Sequence, residues 1–491
     1  MMFNMFSSMK RLRPVLSLVV AAGALTFSAS PGSAAHQQST AATARASETA
    51  LDRYVAAPDS SFAWSVSKNL PAGDATATLI DLTSQRWLTE QEVEQPLWKH
   101  WLVVVSPRTV SSDIALLFIS GGRNDRNPPS APSPWLVDAA RDTGSVVAEL
   151  RMVPNQPVVF KDDPARKPRL EDDFIAYTWK HFLVTGDDRW PARLPMTKSA
   201  VRAMDAITAF AASDAGGGHR VGRFVVSGAS KRGWTTWTTA AVDTRVIAIA
   251  PAVIDLLNVE ASFAHHFRAY GAWSDAVKDY EEQGIMDWMG TPRFRALMRI
   301  EDPYEYRERL TMPKLLVNAS GDQFFLPDSS RFYLDKLRGE THVRYVPNTS
   351  HALDKSDALE TVQAFYAAVV RGAARPEFTW AFEKDGSIKV VAKDRPDSVT
   401  LWQAANPDAR NFRLDAIGPA YRPTVLTPSG PNTWIARVQK PAKGWTAFFV
   451  ELTFASGKYP LKLTTAIRVL PDTLPFAAPA TKTDARSARG R

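Results

Sequence analysis

The 491-residue chain has no cysteine. That excludes disulfide scaffolds, thiolate nucleophiles, zinc–thiolate centres and the lipidated cysteine of a lipoprotein anchor, and it leaves an oxidising compartment open to the protein. Long apolar runs are missing too. The run over 15–27 is shorter than the ~20 residues of a spanning helix. Lys10, Arg11 and Arg13 precede it and Ser33-Ala34-Ala35 follow it, which is the pattern of an export signal over residues 1–35. The expected location is therefore periplasmic or secreted, with no stable membrane insertion once the signal is removed. Clustered positive charge is also scarce. Of the formal net charge of +8, three charges belong to the signal and three to the tail after Pro475, so the rest of the chain has an ordinary surface. No element has the Lys/Arg cluster of a nucleic-acid footprint, and nucleic acid is not an expected partner. No internal repeat is evident, and only eight histidines are present to supply imidazole chemistry.

With 45% apolar residues the chain can bury one large core and a smaller one. A polar leader over 36–50 is expected to be disordered. Beyond it, strands are predicted at 76–82, 98–106, 114–120 and 145–152, and helices at 134–143, 170–183 and 197–212. Buried strands alternating with helices indicate an α/β fold with a mostly parallel sheet covered on both faces, over residues 51–375. Residues 251–311 break the rhythm. They are helical by pattern, with Phe263, Phe267, Tyr270, Trp273, Trp288 and Met289, and read as an insertion capping the carboxyl edge of the sheet, where open α/β sheets hold their sites. Strands at 314–319 and 342–346 and helices at 329–337 and 354–371 complete this part. From 376 to 470, short alternating runs (378–382, 387–392, 399–403, 434–438, 446–454 and 462–469) predict a second, all-β, sandwich-like domain. It lies beyond the candidate residues, so it is expected to be dispensable for the chemistry, either guiding a polymeric substrate or covering the first domain. A disordered basic tail is expected over 471–491.

One stretch organises the rest: Arg223-Phe224-Val225-Val226-Ser227-Gly228-Ala229-Ser230-Lys231-Arg232-Gly233-Trp234. An apolar run ends at a glycine, a serine follows, and a helix-forming run begins, as in a nucleophile elbow. Such a turn aims the first helical N–H groups, Lys231 first, at the place where an oxyanion forms. A second N–H is expected from Gly121-Gly122, just past the 114–120 strand. A serine needs a base, and the base an orienting acid. His36 falls in the leader, His100, His181 and His219 precede the serine, His265 and His266 fall in the insertion, and His342 opens a strand. His351 follows the last α/β strand and is the candidate base. Asp322, just past the 314–319 strand, is the candidate acid. Asp328 competes with it but also suits the cap of the predicted 329–337 helix. The acidic run Glu171-Asp172-Asp173 reads as first-turn partners of a helix dipole. Arg232, Trp234 and Trp237, close behind the serine, are candidate substrate-binding residues, with salt bridging and core packing as their alternative roles.

Four segments together resemble the PhoPQ-activated pathogenicity-related protein family: Gly228-Ala229-Ser230-Lys231-Arg232-Gly233-Trp234; Leu194-Pro195-Met196-Thr197-Lys198-Ser199-Ala200-Val201-Arg202-Ala203-Met204-Asp205; Glu171-Asp172-Asp173-Phe174-Ile175-Ala176-Tyr177-Thr178-Trp179; and Gly321-Asp322-Gln323-Phe324-Phe325-Leu326-Pro327-Asp328-Ser329-Ser330-Arg331-Phe332-Tyr333. The resemblance covers about 51–469. It implies an α/β-hydrolase fold with a Ser/Asp/His triad and says little about substrate. One departure from the common hydrolase pattern is that Arg232 stands where a glycine is usual, so the elbow reads G-x-S-x-x-G. The leading expectation is an exported serine hydrolase that cleaves an ester or amide of a small-molecule, peptide or saccharide substrate through an acyl-enzyme, with no metal or organic cofactor. The alternative is a secreted binding or signalling protein on the same fold.

Overall fold

Nine strands build the first part of a 14-stranded main sheet. β1 (Ala63–Leu70), β2 (Thr76–Arg86), β3 (Leu97–Ser106), β4 (Ile114–Ile119) and β5 (Val147–Leu150) precede the serine; β6 (Arg223–Ala229) leads into it; β7 (Val246–Ala252), β8 (Lys314–Ala319) and β9 (Thr341–Val346) follow. In this computed structural model, which describes residues 48–479 except Arg126, they lie in the order β1-β2-β3-β5-β4-β6-β7-β8-β9. Neighbours from β1 to β5 pair antiparallel, and every neighbouring pair from β5 to β9 is parallel. This is the α/β-hydrolase fold. The chain moves one way from β4 to β5 and the other way from β6 onward, so the switch in strand order falls between β4 and β6, where open sheets place a crevice.

The apolar runs are continuous because these strands are covered on both faces. Ala115 and Leu117 of β4 and Phe224 and Val226 of β6 enter one core layer with Trp234 and Trp237, whereas Leu116 and Val225 enter the other with Leu136 and Phe365. The helices are α1 (Ala50–Ala56), α2 (Pro134–Thr143), α3 (Glu171–Thr185), α4 (Arg193–Ala212), α5 (Lys231–Val242), α6 (Val259–Tyr270), α7 (Lys278–Glu282), α8 (Pro292–Glu301), α9 (Ala358–Val370) and α10 (Leu414–Ile417). α4 begins before the predicted 197. Pro195 sits in its first turn, where a missing N–H costs nothing. There Arg193 forms a fully buried pair with Glu301 (3.2 Å) and donates to Lys231 O at 2.8 Å, tying α4 and α8 to the start of α5.

Four expectations change. β1 was not anticipated, because its residues are largely exposed and lack the alternation of a half-buried strand. The helix expected at 329–337 is two short 3₁₀ turns, and Asp328 does not cap the first of them. The run expected at 462–469 divides into β16 (Leu461–Thr464) and β17 (Arg468–Leu470). The tail is held in place as far as the structure describes it: Asp472 pairs with Arg331 (2.8 Å) and the Phe476 N–H donates to Arg268 O (3.1 Å). The predicted export signal and most of the leader lie outside the described residues.

The carboxy-terminal strands β10 (Phe378–Phe382), β11 (Ile388–Ala392), β12 (Ser398–Asn406), β13 (Arg422–Val425), β14 (Thr433–Ala436) and β15 (Trp445–Phe454), with β16 and β17, form two layers. β10-β11-β14 is a separate sheet, and β16-β15-β12-β13 continues the main sheet beyond β9. The join is the Thr464–Val343 bridge and a hydrogen bond from the Tyr345 N–H to Thr464 Oγ1 at 3.0 Å. The described residues from Thr49 onward pack as one unit.

Candidate active site

Ser230 sits between β6 and α5 with φ 57° and ψ −126°, a conformation that costs a non-glycine residue on the order of 1–3 kcal/mol. The neighbouring backbone enforces it. The Ser230 N–H donates to Ala252 O and the Trp234 N–H to Ser230 O, both at 2.9 Å. Gly228 and Gly233 permit the approach: a Cβ on Gly228 would lie 2.8 Å from Arg232 O, and one on Gly233 would lie 2.7 Å from Ala252 O.

The loops after β8 and β9 bring the other two members to this turn. Ser230 Oγ lies 2.8 Å from His351 Nε2, and His351 Nδ1 lies 2.8 Å from Asp322 Oδ2 and 3.1 Å from Oδ1. Asp322 Oδ1 also accepts from the Phe324 N–H at 2.7 Å, so the carboxylate is oriented before the imidazole meets it. The His351 N–H donates to Gln323 Oε1 at 3.1 Å, and the Phe324 ring lies 4.4 Å from the imidazole. Gln323 and Phe324 were not anticipated. Their only sequence signal was adjacency to Asp322. The Asp322 side chain is 3% exposed and that of His351 is 13% exposed. A buried carboxylate thus faces an imidazole that keeps a partly exposed edge.

Asp328 is neither the partner of His351 nor a helix cap. It bonds His265 Nε2 (3.0 Å) and Arg410 Nη2 (2.6 Å) in the interior. Burial pushes its carboxyl up, but Arg410 and His265 outweigh that and hold it well below the usual range. Trp234 and Trp237 are buried at 5% and 0% exposure, and the Trp234 indole N–H donates to Glu301 O. Both are core residues and do not line a substrate cleft. Arg232 is not free to take a substrate carboxylate. Its guanidinium grips Glu171 with two bonds (2.8 and 2.7 Å) and donates through Nε to Val153 O. Lys231 Nζ pairs with Asp172 at 2.7 Å. Glu171 and Asp172 therefore do more than face a helix dipole: the two acids at the start of α3 meet the two cations behind the serine. Burial raises the Glu171 carboxyl, yet Arg232 and Lys231 hold it down at about 2.

Ile119 and Gly228 are register partners, so the Gly121-Gly122 loop and the Ser230 turn leave the sheet side by side. The N–H of Lys231, the first helical residue, has no acceptor within its own helix. Chemically, the site offers a hydroxyl against a basic nitrogen, a carboxylate behind that nitrogen, and a helix start beside the hydroxyl. Among the described residues no three His, Asp or Glu side chains gather where they could hold a metal ion.

Residues 51–413 match the family model described as PhoPQ-activated pathogenicity-related protein. The chain is 36% identical over 460 residues to autocrine proliferation repressor protein A of Dictyostelium discoideum, covering 88% of this chain and 92% of that protein. Similar solved structures include an acetyl xylan esterase from Paenibacillus sp. R4 (TM-score 0.47, 14% identity, 66% of this chain and 95% of that one). Another is an acylaminoacyl peptidase from Pyrococcus horikoshii (TM-score 0.38, 11% identity, 62% of this chain and 49% of that one). On the span of the family match and the extent of the amoebal identity, the chain belongs to the PhoPQ-activated pathogenicity-related protein family.

Proposed function

We propose that this protein is an exported serine hydrolase that cleaves an ester or amide through an acyl-enzyme. The reading rests on one observation: a serine held at positive φ whose Oγ, 2.8 Å from His351 Nε2, begins a hydrogen-bonded chain that ends on a buried carboxylate. Ser230 Oγ attacks the carbonyl carbon while its proton passes to His351 Nε2. Asp322 fixes the imidazole with its Nδ1 proton inward and stabilises the imidazolium that forms. The N–H groups of Lys231 and of the Gly121-Gly122 loop take the charge on the carbonyl oxygen. The C–O or C–N bond then breaks as Nε2 returns the proton to the leaving alcohol or amine. Water, deprotonated by the same nitrogen, releases the acid and restores Ser230.

The name of the Dictyostelium discoideum relative, a proliferation repressor, supports a second reading, in which the fold serves as a binding or signalling protein. A fluorophosphonate probe separates the two. The hydrolase reading expects labelling of the wild type, none of Ser230→Ala, and a loss in Asp322→Asn on the order of 10⁴-fold with the fold retained. Labelling that is absent, or equal in Ser230→Ala, removes it.

A further inference from the structure

We infer that Arg232, the residue standing where the elbow usually has glycine, is a positioning residue that sets the gap between the two oxyanion donors. This inference rests on the hydrolase reading above. Arg232 belongs by backbone to the turn of Ser230, and its side chain reaches three other segments. The guanidinium lies so close over Gly121 that a Cβ there would be 2.5 Å from Nη2 and 2.8 Å from Cζ. A side chain at 121 would have to displace the guanidinium from this position. The Nε group donates to Val153 O. That residue's N–H in turn donates to Ser120 O (3.1 Å), and the Met152 N–H donates to Gly121 O (2.9 Å), so the same backbone segment lines the far side of the donor loop.

The third contact closes the frame. Glu171 takes both Nη groups and is itself held by Gln156, whose Oε1 accepts the Glu171 N–H at 2.8 Å and whose Nε2 donates to its carboxylate. The Gln156 carbonyl accepts the Asn124 N–H at 2.6 Å, at the other end of the 120–124 loop. Elbow, guanidinium, carboxylate, amide and donor loop form a continuous chain. Glu171 sits at φ 51°, a strained backbone that persists where surrounding contacts determine it. Three Arg232 N–H groups are committed and its side chain is only 11% exposed. It is therefore suited to bracing and not to binding a mobile anion. A planar fork is needed, because a lysine cannot serve Val153 O and both Glu171 oxygens at once.

The test uses the full-length protein with a neutral ester, a carboxylate-bearing ester and the fluorophosphonate probe. Misplacing one donor by about an ångström costs on the order of 10²-fold. Arg232→Lys is accordingly expected to lower kcat by about 10–10²-fold with KM near wild type, equally for both esters, and to slow labelling in proportion. Glu171→Gln and Gly121→Ala, which loosen the same brace from its other sides, are expected to show the same kcat-only loss. They keep the test decisive if Arg232→Lys folds poorly. Unchanged kcat in folded Arg232→Lys or Glu171→Gln overturns the brace while leaving the hydrolase reading intact. So does a KM rise confined to the carboxylate ester. A wild type that hydrolyses neither ester and takes no label overturns both.

Discussion

Asp328 shows how a single residue acquires its role from a partner far along the chain. Its side chain is 5% exposed and faces Arg410, whose side chain is wholly buried. Removing one member of such a pair strands the other charge in the interior, at about 3–5 kcal/mol. Asp328→Ala is therefore expected to lose that much in chemical denaturation while residual folded protein still takes the fluorophosphonate label. A loss of only ~0.5–2 kcal/mol would restore the helix-cap role read from the sequence. That Ser230, His351 and Asp322 come together was legible because each follows an apolar strand, in the order this fold uses. Asp328 was not, since nothing at 328 announces a guanidinium 82 positions later. Trp234 and Trp237 were ambiguous for a related reason: helical spacing marks them as facing one side but does not say what covers that side.

Among the elements, the start of α3 and the turn of α5 work as a matched pair, two acids against two cations. The Glu171 carboxyl, ordinarily near 4.5, is held at about 2 in the folded protein by Arg232 and Lys231 against the opposing effect of burial. A depressed carboxyl contributes stability that is fully present above its unfolded value and is lost as pH falls through the folded one. The stability advantage of wild type over Glu171→Gln is thus expected to be constant above about pH 5 and to shrink between about pH 4.5 and 2. Denaturation midpoints of the two proteins at several pH values check this, and a pH-independent difference would deny the ion pair its role. The strands buried on both faces were readable as continuous apolar runs, whereas β1, exposed at the edge of the sheet, was not.

At the scale of the whole molecule, the carboxy-terminal layers are a brace and not an optional module. Val343 and Tyr345 of β9 share a core with Phe449, Ile467 and Val469. The Leu414 N–H donates to Gly321 O (3.0 Å), and Tyr421 and Asn348 exchange two hydrogen bonds at 2.9 Å, so both loops that carry Asp322 and His351 lean on residues 410–421. A chain ending at Gly372 exposes the edge of β9 and takes Arg410 away from Asp328, and it is expected to be insoluble or unlabelled by the probe. A soluble, fully active product would return these strands to an accessory role. The sequence placed the boundary at 376 because the texture changes there from buried runs to short alternating ones. Texture does not reveal that β16 closes the open edge of β9.

That brace also has a consequence in time. A chain emerges from synthesis amino end first, at about 5–20 residues per second. The Ser230 turn and the loops of Asp322 and His351 are therefore made before Arg410, Tyr421 and the strands that pack against them. A chain cut short before residue 410 therefore holds Ser230, Asp322 and His351 without the contacts that residues 410–421 make to the loops of the latter two.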